Sequence, residues 1–352
     1  MRITIIGAGL TGLSIAYLLK KEGISSQIIE ARERIGGRIL TVQNNDEAPV
    51  EMGATWLGLK HRNLVDLLKE LNIEIYEQFT GDLAVYEAMS TSPPQLVSLP
   101  ENPEPSYRIK GGTITLIEEL RKHLKEQPIY LGEIVQSIHL NKDKLIEIKT
   151  NKNQYKSEYV IFTLPPFLLA KTIEILPALP NKLQEIAYHT HIWMGESIKV
   201  GLRYAKPFWR EKNTSGTIFS NVGPVTEMYD HSNFELSTFA LKGFMNSAYA
   251  SATKEIRKRL ILNQLRKYYG NIVDNFLSYE ETVWSNEPFT FTNYETAILP
   301  HQNNGNPIFK NNYFEGKLII TGSETAVQFP GYMEGAVSSA KSAVEKLSTV
   351  LV

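Results

Sequence analysis

The chain contains no cysteine. Disulfides, thiolate metal sites, iron–sulfur clusters, a cysteine nucleophile and any cysteinyl tether to a cofactor are thereby excluded, and a reducing compartment fits. Charge of one sign is also lacking. Thirty-seven Lys and Arg stand against 38 Asp and Glu, a net charge of −1, so the strongly basic footprint of a nucleic-acid binder is missing. No run approaches the ~18–20 uninterrupted apolar residues of a membrane helix; the longest candidate, residues 160–170, is broken by Pro165 and Pro166. The apolar opening to Leu19 carries glycines at 7, 9 and 12 and ends in Lys20-Lys21 with no small-residue cleavage site, so it is not read as a signal peptide. Seven scattered histidines show no metal-ligand spacing, which predicts no metal site, and neither a G-x-S-x-G elbow nor a GxxxxGK phosphate loop is present.

What is present is a globular composition, 42% hydrophobic and 21% charged over 352 residues, enough for about two domains of roughly 150 residues each. Residues 2–6 read as a strand, 12–22 as a helix and 27–30 as a second strand, a βαβ opening that implies a parallel, doubly wound sheet. Residues 91–105 hold five of the 17 prolines and are expected to be irregular loop. Thr115 and Glu118 are spaced as a capping box for a helix over Ile117, Leu120 and Leu124. Strands are expected at 134–140, 145–150 and 159–164. Residues 198–204 alternate, with Ile198, Val200, Leu202 and Tyr204 inward and Lys199 and Arg203 on the polar side. Residues 254–269 read as an amphipathic helix with Ile256, Leu260 and Leu265 on its apolar side and six basic residues on a solvated face. A buried strand at 317–321, Gly322 and a helix from Met333 close the chain. Two termini sharing one sheet, with the middle inserted elsewhere, is the economical topology.

Gly7, Gly9 and Gly12 follow the first strand and open the first helix, and Glu30 ends the second strand. Glycines there permit a tight turn and close approach to a pyrophosphate, the helix N-terminus offers free N–H groups, and the acid suits ribose hydroxyls. Nicotinamide and flavin dinucleotides share this fingerprint. The segment after Glu30 favours the latter: Arg32, then Gly36-Gly37-Arg38, brings a second close backbone approach with guanidinium groups to match, which suits a buried, extended FAD.

These residues, with Glu51-Met52-Gly53-Ala54, Met194 to Arg210, Trp284 to Tyr294, Thr321 to Thr325 and Phe329 to Val337, resemble the flavin-containing monoamine oxidase family, in particular its compact, soluble, bacterial-type members. The resemblance implies an α/β fold: a Rossmann-like FAD-binding domain of the GR2 type over 1–78, 110–188 and 287–352, with an inserted, reduced α+β substrate domain over 79–109 and 189–286. It implies an FAD-dependent amine oxidase that converts the C–N bond of a primary or secondary amine to an imine and is reoxidised by O2, giving H2O2. Gly7, Gly9, Gly12, Glu30, Arg32, Gly37, Arg38, Gly53, Ala54, Val135, Trp284, Gly322, Ser323, Tyr332 and Met333 match cofactor contacts. The N–H of Met333 would meet the flavin pyrimidine carbonyl, and Val135 the adenine through its backbone.

Catalytic roles are implied for three residues. Tyr294 and Tyr332 would face each other before the flavin, and Lys199 would hold a water against flavin N5. Read alone, Lys199 is a solvent-facing strand residue, Tyr294 and Val135 are core positions, and Tyr332 is a core residue at an ordinary helix cap; both readings stay open. Asn293 stands where the mitochondrial enzymes carry the cysteine that tethers the flavin, so FAD is expected to be non-covalent. The family's C-terminal membrane helix has no counterpart, so a soluble, cytoplasmic enzyme of small-molecule amines and O2 is expected, with no nucleic-acid or membrane partner and a homodimer as one option. Between Ile75 and Gly111 relatives carry a helical segment that walls the substrate cavity, whereas a short Pro-rich connection is expected here. Two rival readings are a renalase-like oxidase of reduced nicotinamide isomers and a non-catalytic, FAD-stabilised interaction scaffold.

Overall fold

Strands buried on both faces need side chains that are apolar throughout, and the opening strand, Ile3–Ile6, is fully buried. In the computed structural model, which describes residues 2–43 and 47–351, it is the middle of a five-stranded sheet. The order is Leu318–Ile320, Tyr159–Phe162, Ile3–Ile6, Ser26–Ile29 and Ile129–Tyr130, with parallel pairing throughout. Met1 and Val352, the outer ends of the expected FAD-binding segments, lie outside the described residues. On one face Ile3, Ile5, Ile28, Ile161 and Ile319 pack with the helices Leu10–Lys21 and Met333–Leu351. On the other, Ile6, Ile29, Val160, Phe162, Leu318 and Ile320 pack against Ile138, Ile146 and Ile148 of a four-stranded sheet. The two chain ends therefore do share one sheet.

The second large sheet has seven strands in the order Phe276–Val283, Ile198–Tyr204, Phe239–Met245, Val225–Asp230, Thr214–Ser220, Leu83–Glu87 and Gln95–Ser98. One face packs Val200, Leu202 and Tyr204 with Ile261, Leu262 and Leu265 of the helix Lys254–Tyr269. The other face meets the segment around residues 48–55, where Val50 and Met52 pack with Ala240. A mixed α/β architecture of this kind suits a nucleotide-binding layer with a second sheet set against it.

Several expectations need correction. The Pro-rich stretch is not all loop, because Gln95–Ser98 pairs antiparallel with Leu83–Glu87. That strand is an edge flanked by Pro93, Pro94 and Pro100, where prolines cost no ladder hydrogen bond. The polar side of Ile198–Tyr204 is not solvated: all seven residues are buried. Arg203 there donates to the Ala48 and Val42 carbonyls and to Ser278 and Glu280. On Lys254–Tyr269, Ile256 is exposed and Arg257 is buried against Glu281; a paired guanidinium takes a core-facing place. The capping box does not form. The helix Ile114–His123 has no side-chain cap of its own. Its first N–H groups are met from outside, Thr113 donating to Glu51 Oε1 at 2.6 Å and Ile114 to Thr41 Oγ1 at 3.0 Å.

Candidate active site

The first strand turns into its helix through Gly7, at φ +106°, and a Cβ on Gly12 would lie 2.0 Å from the Gly7 carbonyl oxygen. Only hydrogen fits there, so the two glycines fix how closely strand and helix pack. Gly9 bridges to Gly36, and Gly36 donates to the Ala8 carbonyl at 2.8 Å. A Cβ on Gly37 would approach Gly9 Cα to 3.1 Å. Two backbones thus meet with no side chain between them. The helix Leu10–Lys21 begins with no side-chain cap and no acid in its first turn, leaving its N–H groups free for an anion.

Glu30 is buried. Its Oε2 accepts the Ala8 N–H at 2.7 Å and its Oε1 the Arg32 N–H at 2.9 Å. Each oxygen keeps a lone pair for a ribose hydroxyl. Arg32 reaches Thr290 Oγ1 at 2.6 Å and Glu287 Oε2 at 3.2 Å. These elements bound a cleft with a cavity volume of about 380 Å3. Of the expected cofactor residues, Gly7, Gly9, Glu30, Arg32, Gly37, Arg38, Ala54, Val135, Ser323, Tyr332 and Met333 line it. A capless helix end, a side-chain-free cradle and a buried acid fit a dinucleotide diphosphate and ribose.

Gly12, Gly53, Trp284 and Gly322 stand behind the lining. A Cβ on Gly53 would lie 2.1 Å from the Arg38 carbonyl oxygen. Trp284, buried, donates Nε1–H to the Met52 carbonyl at 2.7 Å. Gly322 adopts φ +145° beside the Thr163 carbonyl. Arg38 is anchored by Glu324: its Nη2 donates to Glu324 Oε2 at 2.9 Å and Ser323 Oγ at 2.7 Å, and its Nη1 to the Trp193 carbonyl at 3.1 Å. Burial alone would raise the Glu324 carboxyl, but the Arg38 charge and these hydrogen bonds outweigh it and hold the group below its ordinary value.

The three expected catalytic residues fall in different settings. Tyr332 lines the cleft, 39% exposed. Lys199 is buried, donates to the Gly53 carbonyl, and lies over the Phe244 ring at 4.9 Å. Burial lowers its ammonium to about 8, against the raising influence of Glu51 and Glu227. It stands one residue behind the cleft wall formed by Ala54. Tyr294 is committed elsewhere. Its hydroxyl accepts the Ile192 N–H at 2.9 Å, and its ring packs edge-on against Phe167 and Phe291.

Of the rings around Tyr332 the nearest is Trp193, with centroids 5.0 Å apart and planes at 31°; His61 and Phe329 lie further off at 6.2 and 6.5 Å. Trp193 is stacked on its other side with His301 at 4.5 Å. Tyr332 thus ends a His301–Trp193–Tyr332 stack, while Tyr294 packs with Phe167 and Phe291. No sequence period marks Trp193 or His301. Their only signals were adjacency to Met194 and to Pro300.

A family model described as flavin containing amine oxidoreductase matches residues 10–91 and 79–348. The chain belongs to that family. It is accordingly an FAD-dependent oxidoreductase of the flavin amine oxidase type. Among curated relatives, the pig flavin-containing amine oxidase A (Sus scrofa) is 25% identical over 458 aligned positions, covering 99% of this chain and 85% of the relative. A probable flavin-containing monoamine oxidase A of Dictyostelium discoideum is 23% identical, with 96% and 95% covered. Alignments longer than this 352-residue chain mean that the relatives carry insertions it lacks. The two matched pieces of the family model meet at residues 79–91, inside the expected shortened stretch. Among solved structures, putrescine oxidase bound to putrescine (TM-score 0.85, 21% identity) and cyclohexylamine oxidase from Brevibacterium oxydans (TM-score 0.85, 18%) share the fold, each with 99% of both chains covered. Among the described residues no helix is long and apolar enough to cross a membrane.

Proposed function

We propose that this enzyme oxidises a primary or secondary amine to an imine, with O2 as the final electron acceptor and H2O2 as the product. The observation that carries the reading is the cleft, whose lining runs from Val135 and Glu30 through Gly9, Gly37 and Arg38 to Ala54, Tyr332 and Met333. When bound there, FAD would supply the two-electron acceptor that amine oxidation requires. Glu30 and Arg32 hold the ribose, while Gly9, Gly37 and Arg38 admit the diphosphate. Met333, at the N-terminus of the helix Met333–Leu351, lines the cleft, so the helix dipole would favour negative charge developing on a bound flavin. Its first acid, Glu334, is spent on the Asn63 and Leu64 N–H groups and so does not use up that field by local capping.

Tyr332, on the cleft lining, supplies aromatic surface for the amine. Lys199, through the turn at Gly53, holds a protonatable group behind the same wall. Water then hydrolyses the released imine. With no cysteine in the chain and Asn293 at the tether position, FAD is held non-covalently. Residues 1–78, 110–188 and 287–352 form the FAD-binding domain and 79–109 with 189–286 the substrate domain. In support, all seven strands of the second sheet come from residues 83–98 and 198–283. A cytoplasmic location and small-molecule partners complete the reading. The test is peroxide formation and oxygen uptake over a panel of primary and secondary amines, putrescine, cyclohexylamine and benzylamine included. Equimolar O2 consumption and H2O2 release with at least one amine supports the proposal. No turnover across the panel refutes it.

A further inference from the structure

His61 immediately precedes the helix Arg62–Glu70 and is buried. The turn before it fixes its side chain: Nδ1 accepts the Gly58 N–H at 3.2 Å, while the His61 N–H donates to the Gly58 carbonyl at 2.9 Å. The ring hydrogen of the neutral imidazole therefore sits on Nε2. Burial holds the group below an ordinary histidine, with Glu334 opposing and Lys60 adding to the effect. The ring packs edge-on against Phe329, with centroids 4.6 Å apart and planes at 71°, and lies 6.2 Å from Tyr332.

Phe329 stands at φ +49°, in the left-handed region that a bulky side chain rarely adopts. Such a conformation persists only where its surroundings over-determine it. Its carbonyl accepts the Tyr332 N–H at 3.2 Å, and a Cβ on Gly335 would lie 2.4 Å from the same oxygen. The turn that Phe329 opens thus delivers Tyr332 to the cleft lining. The two segments meet a second time where Glu334 accepts the Asn63 and Leu64 N–H groups.

We propose that His61 is a positioning residue for Tyr332: its ring holds Phe329, and through Phe329 the turn that sets the Tyr332 ring in the cleft. The inference rests on the function proposed above, in which Tyr332 offers aromatic surface to the amine. The competing role is purely local, with His61 serving its own turn as the acceptor of the Gly58 N–H. The two roles use different parts of one side chain. The nitrogen serves the turn, and the ring serves Phe329, so substitution can separate them.

The test uses the FAD-loaded protein carrying 3-fluorotyrosine at position 332, observed by 19F NMR in otherwise wild-type protein, His61→Phe, His61→Asn and Phe329→Gly. Phenylalanine keeps the ring and loses the acceptor. Asparagine keeps a short polar acceptor and loses the ring. Glycine tolerates the positive φ and removes the side chain that His61 holds. The 19F signal should stay in place in His61→Phe, with a lower melting temperature, and should shift or broaden in the other two. With an amine substrate, kcat/KM should stay within about twofold in His61→Phe and fall by up to about tenfold, mainly through KM, in the other two, the scale of one lost edge-on ring contact. A signal moved by His61→Phe as far as by His61→Asn, or further, assigns His61 to its own turn and overturns the proposal. A signal unmoved in His61→Asn does the same. Should a His61 variant not fold, an unmoved signal in Phe329→Gly overturns it alone. If no amine is turned over, the functional reading fails while the 19F order still decides the positioning.

Discussion

Replacing Glu324 by glutamine perturbs the cofactor cleft from one step behind it. The side chain is 1% exposed, and it is the carboxylate that fixes Arg38 on the cleft wall. Removing one partner of a buried pair costs about 3–5 kcal/mol. Glutamine keeps the volume and one acceptor, and Arg38 keeps Ser323 and the Trp193 carbonyl, which points to the lower end, about 3 kcal/mol. With an unfolding entropy of ~2.1 cal/mol/K per residue over 352 residues, that is a fall of about 4 °C in melting temperature.

The pH dependence separates this from a packing defect. The Glu324 carboxyl is held below its unfolded value, so its contribution is present above pH ~4.5 and is lost as pH falls through the lower folded value. Thermal unfolding at pH 7.5 and at pH 4, with Arg38→Met and the double variant closing a mutant cycle, measures the pair directly. The variant should be destabilised at pH 7.5, with the gap to wild type narrowing towards pH 4. Additive effects of the two substitutions, within about 0.5 kcal/mol, would refute the coupling.

Other outcomes follow from the same geometry. Gly12→Ala should abolish folding or FAD retention, since its Cβ meets a backbone oxygen at 2.0 Å; a yellow, stable variant contradicts the close-packed turn. Tyr294→Phe removes the acceptor of the buried Ile192 N–H and should cost about 1–3 kcal/mol with little change in kcat, whereas Tyr332→Ala, on the cleft lining, should alter KM for amines; the reverse pattern places Tyr294 on the substrate wall. Lys199, at about 8 when folded against ~10.4 unfolded, binds fewer protons folded than unfolded between those values. Its burial penalty is therefore fully present below pH 8 and relieved as pH rises towards 10. Chemical denaturation should show a steeper rise over that window in wild type than in Lys199→Met, and equal slopes refute it.

The nucleotide half was legible because its signals are local. Gly7, Gly9 and Gly12 between a strand and a helix, with Glu30 after the second strand, can be read within thirty residues, and the cleft is built from them. What could not be read is long-range. Lys199 and Arg203 alternate as a polar strand face should, but that face meets the carbonyls of Val42, Ala48 and Gly53 instead of water. The helix at 114–123 finds its caps in Glu51 and Thr41, over sixty residues away in sequence. Tyr294 lies ten residues after Trp284. Phe291, three residues before it, and Phe167 hold its ring in a separate cluster, leaving Trp193 beside Tyr332. Such choices are made by packing between segments, and no window of sequence contains both partners.

The central claim is that the cleft holds FAD in position to oxidise an amine. Anaerobic mixing of the purified protein with an amine library, and separately with dihydronicotinamides, measures this most directly through loss of flavin absorbance near 450 nm, about where oxidised flavin absorbs. Bleaching by at least one amine and restoration of colour on admitting air are expected, with dihydronicotinamides inert. Bleaching by dihydronicotinamides alone, or by nothing, contradicts it.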